Sequence, residues 1–468
     1  MSKALHYAVL SAGLFFVTGN ASAQQRNCGQ EVLMNAISKT YPAAEAKLRV
    51  RKEEITKEAA NLQSASAGTF AKTAGNAPVP VVFHFVLTQT QYNKLGGAAG
   101  VKQRVDSQML VMQRDFAATN PDVAKVPSWF RGSVGPAGVN FALATKAPNG
   151  SSSAGYEVKI LAPGVDSVYE INANTGTAGS RFACSDVKYN GAKGLSAWDP
   201  TRYFNVWVCR VTDNNAEGVL GITTPPSFLS FNFPQGELGV VLTYGAIGKR
   251  KANSEYYFGS VIDRGRTLTH EAGHFFELEH IWGDDGGACP GGAGFQDDGV
   301  SDTPPQADAI YGCYADSQIV ATCGQPKGAM WMNYMNYTDD RCMYMFTNGQ
   351  AARMNSQVAN SGQFSYSLTT HPELTSGSGT AGVENAAKNE FILAPNPTSS
   401  VINLNFLDTP QGLSQIEVSD AFGRRIMVQS PSSGKTSYQF DLSGLARGIY
   451  LVRCTFEDST VVRKVVLQ

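Results

Sequence analysis

Three of the chain's six histidines fall within the eleven residues His270-Glu271-Ala272-Gly273-His274-Phe275-Phe276-Glu277-Leu278-Glu279-His280, and no other stretch restricts the fold so tightly. An α-helix turns about 100° per residue, so His270 and His274 lie one turn apart on one face, where both imidazoles can reach one ion. Glu271 sits beside them, placed to take a proton from a water rather than to bind the ion. His280, six residues past His274, would fall on the far side of a continued helix. It joins the other two only if the chain turns sharply after His274, which would complete a three-histidine site with a fourth position open. The competing reading is an amphipathic helix whose buried histidines are satisfied by neighbours. A third histidine at this spacing favours the metal, with zinc as the ion.

The rest of the chain divides around this stretch. At 468 residues, 43% apolar and 16% charged, it can bury more than one core. A formal net charge of −1 gives no basic footprint for nucleic acid. Residues 1–23 read as an export signal, with Lys3, an apolar run from Ala8 to Val17, and Ala21-Ser22-Ala23 before the cut. That run is too short to span a bilayer and no later one is longer, so an exported chain that does not span a membrane is expected.

Residues 24–77 are rich in Lys, Glu and Ala and predict a helix over Ala43–Gln63, with Arg49, Arg51 and Lys52 offering cleavage points. Beyond Pro78 the texture changes. Val79–Leu87, Val139–Thr145, Tyr203–Val211 and Gly239–Ile247 read as strands, and His84 as a satisfied strand histidine. Val101–Ala118 has helical periodicity through Val105, Met109, Met112 and Phe116. Strands alternating with helices predict a mixed α/β domain over 78–372, with the site in a cleft beside its sheet. A linker over 373–388, dominated by Ser, Gly, Thr and Ala, separates it from residues 389–468. There, short strands at 401–406, 414–420, 425–428, 437–442, 449–456 and 461–467 predict an all-β, immunoglobulin-like sandwich.

The His270–His280 stretch resembles the zinc signature of metzincin metallopeptidases. Ile281-Trp282-Gly283-Asp284, Asp298-Gly299-Val300-Ser301-Asp302-Thr303-Pro304 and Met332-Asn333-Tyr334-Met335-Asn336-Tyr337-Thr338-Asp339-Asp340-Arg341-Cys342 narrow the resemblance to the pappalysin family, its cytophagalysin and ulilysin-like branch. The resemblance implies that Met335 is the methionine of a tight Met-turn beneath the histidines and that Tyr337 lies near the metal. It also implies that an edge strand, here expected at Gly239–Ile247, receives the substrate backbone. Arg26-Asn27-Cys28-Gly29 resembles the cysteine switch of pappalysin-type prosegments, in which the Cys28 thiol takes the open metal position. One position departs from the family pattern. Where a glycine usually ends the helix stands Glu277, which either adopts a left-handed backbone at roughly 1 kcal/mol or continues the helix and replaces His280 as a ligand.

Eight cysteines suit an oxidising compartment. Cys289, Cys313, Cys323 and Cys342 all lie between the histidine helix and the Met-turn, where two crosslinks would limit a loop-rich segment. Three pairings are open, and the family's pattern suggests Cys289–Cys323 with Cys313–Cys342. Cys184 with Cys209 is a further candidate pair, leaving Cys28 and Cys454. Asp284, Asp285, Asp297, Asp298 and Asp302 are either solvated loop acids or, as the resemblance implies for Asp298 and Asp302, ligands of calcium.

Leu393-Ala394-Pro395-Asn396-Pro397-Thr398, Asp441–Tyr450 and Lys464-Val465-Val466-Leu467 resemble the C-terminal sorting domain of the type IX secretion system of Bacteroidetes-type bacteria. The reading is therefore a secreted zinc endopeptidase made as a zymogen, with protein or peptide substrates and the type IX machinery as partners. A non-catalytic zinc-binding adhesin is the rival. Loss of Glu271 or a histidine would have favoured it, and none is lost.

Overall fold

The computed structural model describes residues 26–40, 42–65, 77–165, 168–170, 184–212, 219–231, 233–249, 261–283, 287–292, 295–376, 391–406, 410, 412–420, 423–432, 434–456 and 460–468. The expected export signal, Asp284 and Asp285, and residues 377–388 of the expected linker lie outside the described residues.

The chain enters through β1 (Asn27–Cys28), α1 (Gln30–Thr40) and α2 (Pro42–Ala65). Then come β2 (Val79–Leu87), α3 (Gln89–Lys94), α4 (Gly97–Phe116), β3 (Phe141–Leu143), β4 (Tyr156–Ile160), β5 (Val168–Glu170), β6 (Phe204–Thr212), β7 (Val219–Thr224), β8 (Gly239–Thr243) and α5 (Arg266–Phe275). β9 (Tyr311–Gly312), β10 (Tyr337–Thr338) and α6 (Asn348–Ala359) complete this part. The main sheet runs in the order β1-β7-β8-β6-β2-β3, with β4 also on β2 and β5 on β6. All its pairings are parallel except β7 with β8. β2 is buried along all nine residues, because a central parallel strand covered on both faces needs a continuous apolar run. α5 packs against β7 and β8, and every one of its residues is buried.

The expected substrate strand needs correction. Gly239–Thr243 is not an edge: β8 pairs with β6 on one side and β7 on the other. The outer strand beside α5 is β7, which turns back antiparallel and carries β1 of the N-terminal segment on its far side. Burial does not separate the two strands, since β7 is buried along all six residues as β8 is along five; Gly221 makes Val219–Thr224 the weaker strand signal in the sequence.

Two further expectations change. Arg49, Arg51 and Lys52 sit within the 24-residue helix α2, where Arg51 pairs with Glu54 and Gln363 and Lys52 with Glu279 at 2.8 Å. A protease needs extended chain, so these residues become cleavage points only if α2 opens. Cys184 and Cys209 both lie in one apolar cluster and remain thiols rather than a disulfide. The other four cysteines are bridged, Cys289 to Cys323 and Cys313 to Cys342.

Residues 391–468 form two sheets around their own core. β11 (Phe391–Ala394), β12 (Val401–Phe406) and β15 (Ser437–Asp441) make one; β14 (Arg425–Gln429), β13 (Leu413–Asp420), β16 (Gly448–Phe456) and β17 (Thr460–Leu467) make the other. Ile402 and Leu404 from the first sheet meet Ile416, Val418, Val452 and Val465 from the second in one apolar cluster. β12 alternates half-buried and buried residues, the period-2 signature of a sandwich strand. Cys454 is buried in this core, so it is no partner for Cys28.

Candidate active site

The histidine helix ends where three-ligand geometry requires it to end. Glu277 has φ 71° and donates its N–H to His274 O at 2.9 Å, while Leu278 N reaches Gly273 O at 2.9 Å. This is a Schellman arrangement with Glu277 in the left-handed position normally held by glycine. The carboxylate of Glu277 does not face the histidines; it accepts from Ser227 N at 2.8 Å. The turn returns the chain so that His280 Nε2 lies 3.1 Å from His274 Nε2 and 3.3 Å from His270 Nε2, with His270 and His274 3.2 Å apart.

These separations suit one tetrahedral ion. Zinc–nitrogen bonds of about 2.0–2.1 Å place tetrahedral ligand atoms about 3.3–3.4 Å apart. His270 Nδ1 donates to Tyr334 O at 2.7 Å and His274 Nδ1 to Leu278 O at 2.8 Å, which leaves both Nε2 lone pairs for a metal. Burial, followed by repulsion from His274 and His280, holds His270 well below the usual imidazole range and so keeps it neutral. Trp282 stacks on the His280 ring at 4.3 Å and fixes its plane. Among the described residues, Cys28, His270, His274 and His280 bring one ligand atom each within 4.8 Å of one another, all four buried. The residues present fit zinc.

Glu271 is fully buried next to this group. Thr223 donates to its Oε2 at 2.7 Å and to its backbone carbonyl at 2.9 Å. Burial pushes its carboxyl up to about 7, against the pull of hydrogen bonds from Thr223 and Cys28. Gly221 leaves the space: a Cβ there would lie 2.7 Å from Glu271 Oε1. Met335 is fully buried under the helix, and a Cβ on Gly273 would come within 2.5 Å of its Sδ, so that glycine lets the turn approach. Tyr337 sits beside the histidines, its ring 5.0 Å from that of His280 and its hydroxyl accepting from Cys28 N at 3.2 Å.

The N-terminal segment fills the cleft. β1 runs parallel to β7, pairing Cys28 with Gly221, and Gly29 N donates to Gly221 O at 2.8 Å. Arg26 is buried and forms an ion pair with Asp340, with Nε donating to Thr338 O at 3.2 Å. Behind it, Leu33, Ile37 and Leu48 join the apolar cluster of Phe228, Phe233 and Ile222.

Other candidate residues lie apart. His84 bridges Glu157 at 2.6 Å and Asn205 at 2.9 Å, as a satisfied strand histidine. Asp298 accepts from Val300 N at 3.0 Å and from Thr303 Oγ1 at 2.9 Å; Asp302 accepts from Thr347 Oγ1 at 2.6 Å and Gly349 N at 3.0 Å. Their carboxylates serve separate turns. Sequence reasoning missed Thr223, Gly221 and the carbonyls of Tyr334 and Leu278, since a hydroxyl or carbonyl brought in by tertiary folding leaves no local pattern.

The chain is similar to known proteins over two separate stretches. Residues 189–359 match the model of the peptidase family described as pregnancy-associated plasma protein-A, and residues 393–468 match a secretion-system C-terminal sorting domain. An extracellular metalloprotease of Arthroderma benhamiae is 42% identical over 94 residues, covering 20% of this chain and 29% of the relative. Extracellular metalloprotease 1 of Coccidioides posadasii is 42% identical over 100 residues, covering 21% and 32%. The chain thus spans about a third of the length of the curated relatives it matches. Among solved structures, a Tannerella forsythia promirolysin mutant is 30% identical with a TM-score of 0.58, covering 75% of this chain and 99% of that one. Mature mirolysin of Tannerella forsythia in complex with a cleaved peptide is 32% identical with a TM-score of 0.51, covering 64% and 99%.

Proposed function

This chain belongs to the pregnancy-associated plasma protein-A family of metallopeptidases, and on that premise we propose that it is an exported zinc-dependent endopeptidase made as a zymogen. The observation that carries the reading is the convergence of Cys28, His270, His274 and His280 within 4.8 Å beside buried Glu271. His270, His274 and His280 would hold the metal in the active enzyme, and Cys28 would add a fourth ligand in the zymogen. A bound zinc ion would supply the Lewis acidity that acidifies a water and polarises the scissile carbonyl.

The protein's own groups do the rest. Thr223 holds Glu271 Oε2, leaving Oε1 to receive the proton of the attacking water. Burial beside the histidines raises this carboxyl, the direction that suits a group taking that proton and handing it to the leaving amine. Tyr337 points its hydroxyl into the cleft, where a phenol stabilises the developing oxyanion once Cys28 N has left it. The cleft rim of β7 offers backbone groups to an extended peptide after β1 withdraws.

Residues 24–77 are the prosegment, 78–372 the catalytic domain and 373–388 the linker; residues 389–468 address the chain to type IX export and the cell exterior. Calcium at Asp298 and Asp302 remains a proposal from family resemblance alone; bound there, it would compete with the Thr303 and Thr347 hydroxyls.

The reading is tested with Glu271→Gln in the activated protein. It should keep stoichiometric zinc and lose hydrolysis of a denatured protein by several orders of magnitude, because the neutral isostere spares the histidines and removes the base. Wild-type protein that binds zinc and cleaves nothing would favour the adhesin reading instead.

A further inference from the structure

The catalytic helix and the Met-turn are joined by a side chain from neither. Asp115, in the last turn of α4, is 2% exposed. Its Oδ2 accepts from Thr269 Oγ1 at 2.9 Å, the residue immediately before His270. Its Oδ1 accepts from Tyr334 OH at 2.8 Å, and Tyr334 is the residue whose carbonyl orients His270 Nδ1 at 2.7 Å. Asn120 Nδ2 donates to the same phenol at 2.9 Å, which leaves the Tyr334 proton directed at Asp115.

Helix position alone does not favour an aspartate here. The C-terminal turn of a helix disfavours a negative charge. Burial further raises its carboxyl above the ordinary range, against the pull of Arg266 and the two hydroxyls. Asp115 shares the buried Arg266 guanidinium with Asp122, at 3.5 Å and 2.8 Å respectively, so an ion pair accounts for part of its presence but not for its two hydroxyl contacts. What Asp115 alone does is grip both sides of one metal ligand.

We propose that Asp115 is a positioning residue for His270, fixing the histidine helix and the Met-turn in one register so that Nε2 points at the metal. This rests on the reading of His270 as a zinc ligand. An outer partner of a metal ligand commonly changes metal affinity about 10- to 100-fold when replaced. In Asp115→Asn, one of the two acceptor atoms becomes a donor. The Tyr334 phenol already receives a donor from Asn120, so at least one of the two contacts must break or invert.

The experiment uses the full-length protein and reads the zinc dissociation constant by chelator competition, with the visible spectrum of the cobalt-substituted form as a second readout. Asp115→Asn should weaken zinc about 10- to 100-fold and shift the cobalt bands. Tyr334→Phe, which keeps the carbonyl but removes the phenol link, should move both in the same direction by less. Asp122→Asn is the control: it contacts Arg264 and Arg266 but neither Thr269 nor Tyr334, so it should lower the unfolding midpoint and leave zinc affinity unchanged. If Asp115→Asn does not fold, Tyr334→Phe decides. Folded Asp115→Asn and Tyr334→Phe with wild-type zinc constants and cobalt spectra would overturn the proposal, as would an equal loss in Asp122→Asn. A wild-type protein that takes up no zinc would overturn the functional reading as well.

Discussion

Glu277 offers the sharpest test of how this helix end is held. A left-handed backbone costs a non-glycine residue roughly 1–2 kcal/mol, so Glu277→Gly relieves that strain at φ 71°. The same change removes the acceptor of Ser227 N, a buried donor whose orphaning costs about 1–3 kcal/mol. Glycine also widens the unfolded ensemble, a further loss of about 0.4–1 kcal/mol. The balance is a net destabilisation of about 1 kcal/mol, against the gain that a consensus argument would expect. Glu277→Ala keeps the strain and loses the hydrogen bond, so it should rank below glycine. Urea unfolding of the full-length proteins, followed through the transition of the catalytic core, measures the series. Zinc content should be unchanged in both variants, because the carboxylate faces Ser227 and not the histidines. A Glu277→Gly protein more stable than wild type would refute the hydrogen-bond argument, and zinc loss in Glu277→Ala would make Glu277 a ligand after all.

Burial raises the Glu277 carboxyl above its ordinary 4.5, so the folded chain holds that proton more tightly than the unfolded one. Wild-type stability relative to Glu277→Gln should therefore fall as pH climbs from about 4.5 towards the raised folded value, and a pH-independent difference in urea midpoints would contradict this. Cys28→Ala should leave the zymogen largely latent, since Arg26–Asp340 and the β1–β7 pairing persist, whereas Arg26→Ala with Cys28→Ala should release substantial activity. A single Cys28→Ala zymogen as active as the cleaved enzyme would disprove the double anchor. Asp340→Asn should cost roughly 10- to 100-fold more in kcat/KM on a peptide with arginine just after the scissile bond than on one with alanine there, the scale of one charge-assisted hydrogen bond. Equal losses on both peptides would remove Asp340 from substrate recognition.

What was legible in the sequence was what local spacing encodes. Val79–Leu87 appears as β2 with unchanged bounds, and the six strands expected after residue 400 all appear within a residue or two, because β-branched runs between turn residues need no partner to be recognised. Phe391–Ala394 was missed beside a Ser/Gly/Thr-rich stretch. The histidine spacing pointed to one ion since all three lie within eleven residues, and it flagged Glu277 as the point of strain. The sheet edge was not legible. Whether Val219–Thr224 or Gly239–Thr243 lies outermost depends on the antiparallel return of β7, which is a matter of chain path and not of composition. Asp115 was hidden for the same reason: 154 residues separate it from Thr269, and its helix reads as ordinary amphipathic core.

The N-terminal segment and the path proposed for a substrate meet at one carboxylate, that of Asp340. Asp340 gives one oxygen to Arg26 and the other to Arg264 N at 2.7 Å and Arg266 N at 3.3 Å, at the start of α5. The N-cap there is Gly265, which has no side chain to cap the helix, so Asp340 supplies the negative group that a helix N-terminus favours. In the proposed activation, release of residues 24–77 would leave those backbone donors in place, and they would go on holding the Asp340 carboxylate where it stands. Arg341 does not neutralise it, because its guanidinium is turned to Asp339 at 3.2 Å. The position vacated by Arg26 is then a preformed anionic socket two residues along the strand from the metal thiol. β1 lies parallel to β7, whereas a peptide in the more stable antiparallel pairing would run the other way and reach that socket just after passing the histidines. In the proposed enzyme the carboxylate that pairs with Arg26 would thus be free to meet a basic side chain beyond the cut, while its contacts with Arg264 N and Arg266 N would still tie it to the start of the helix carrying His270.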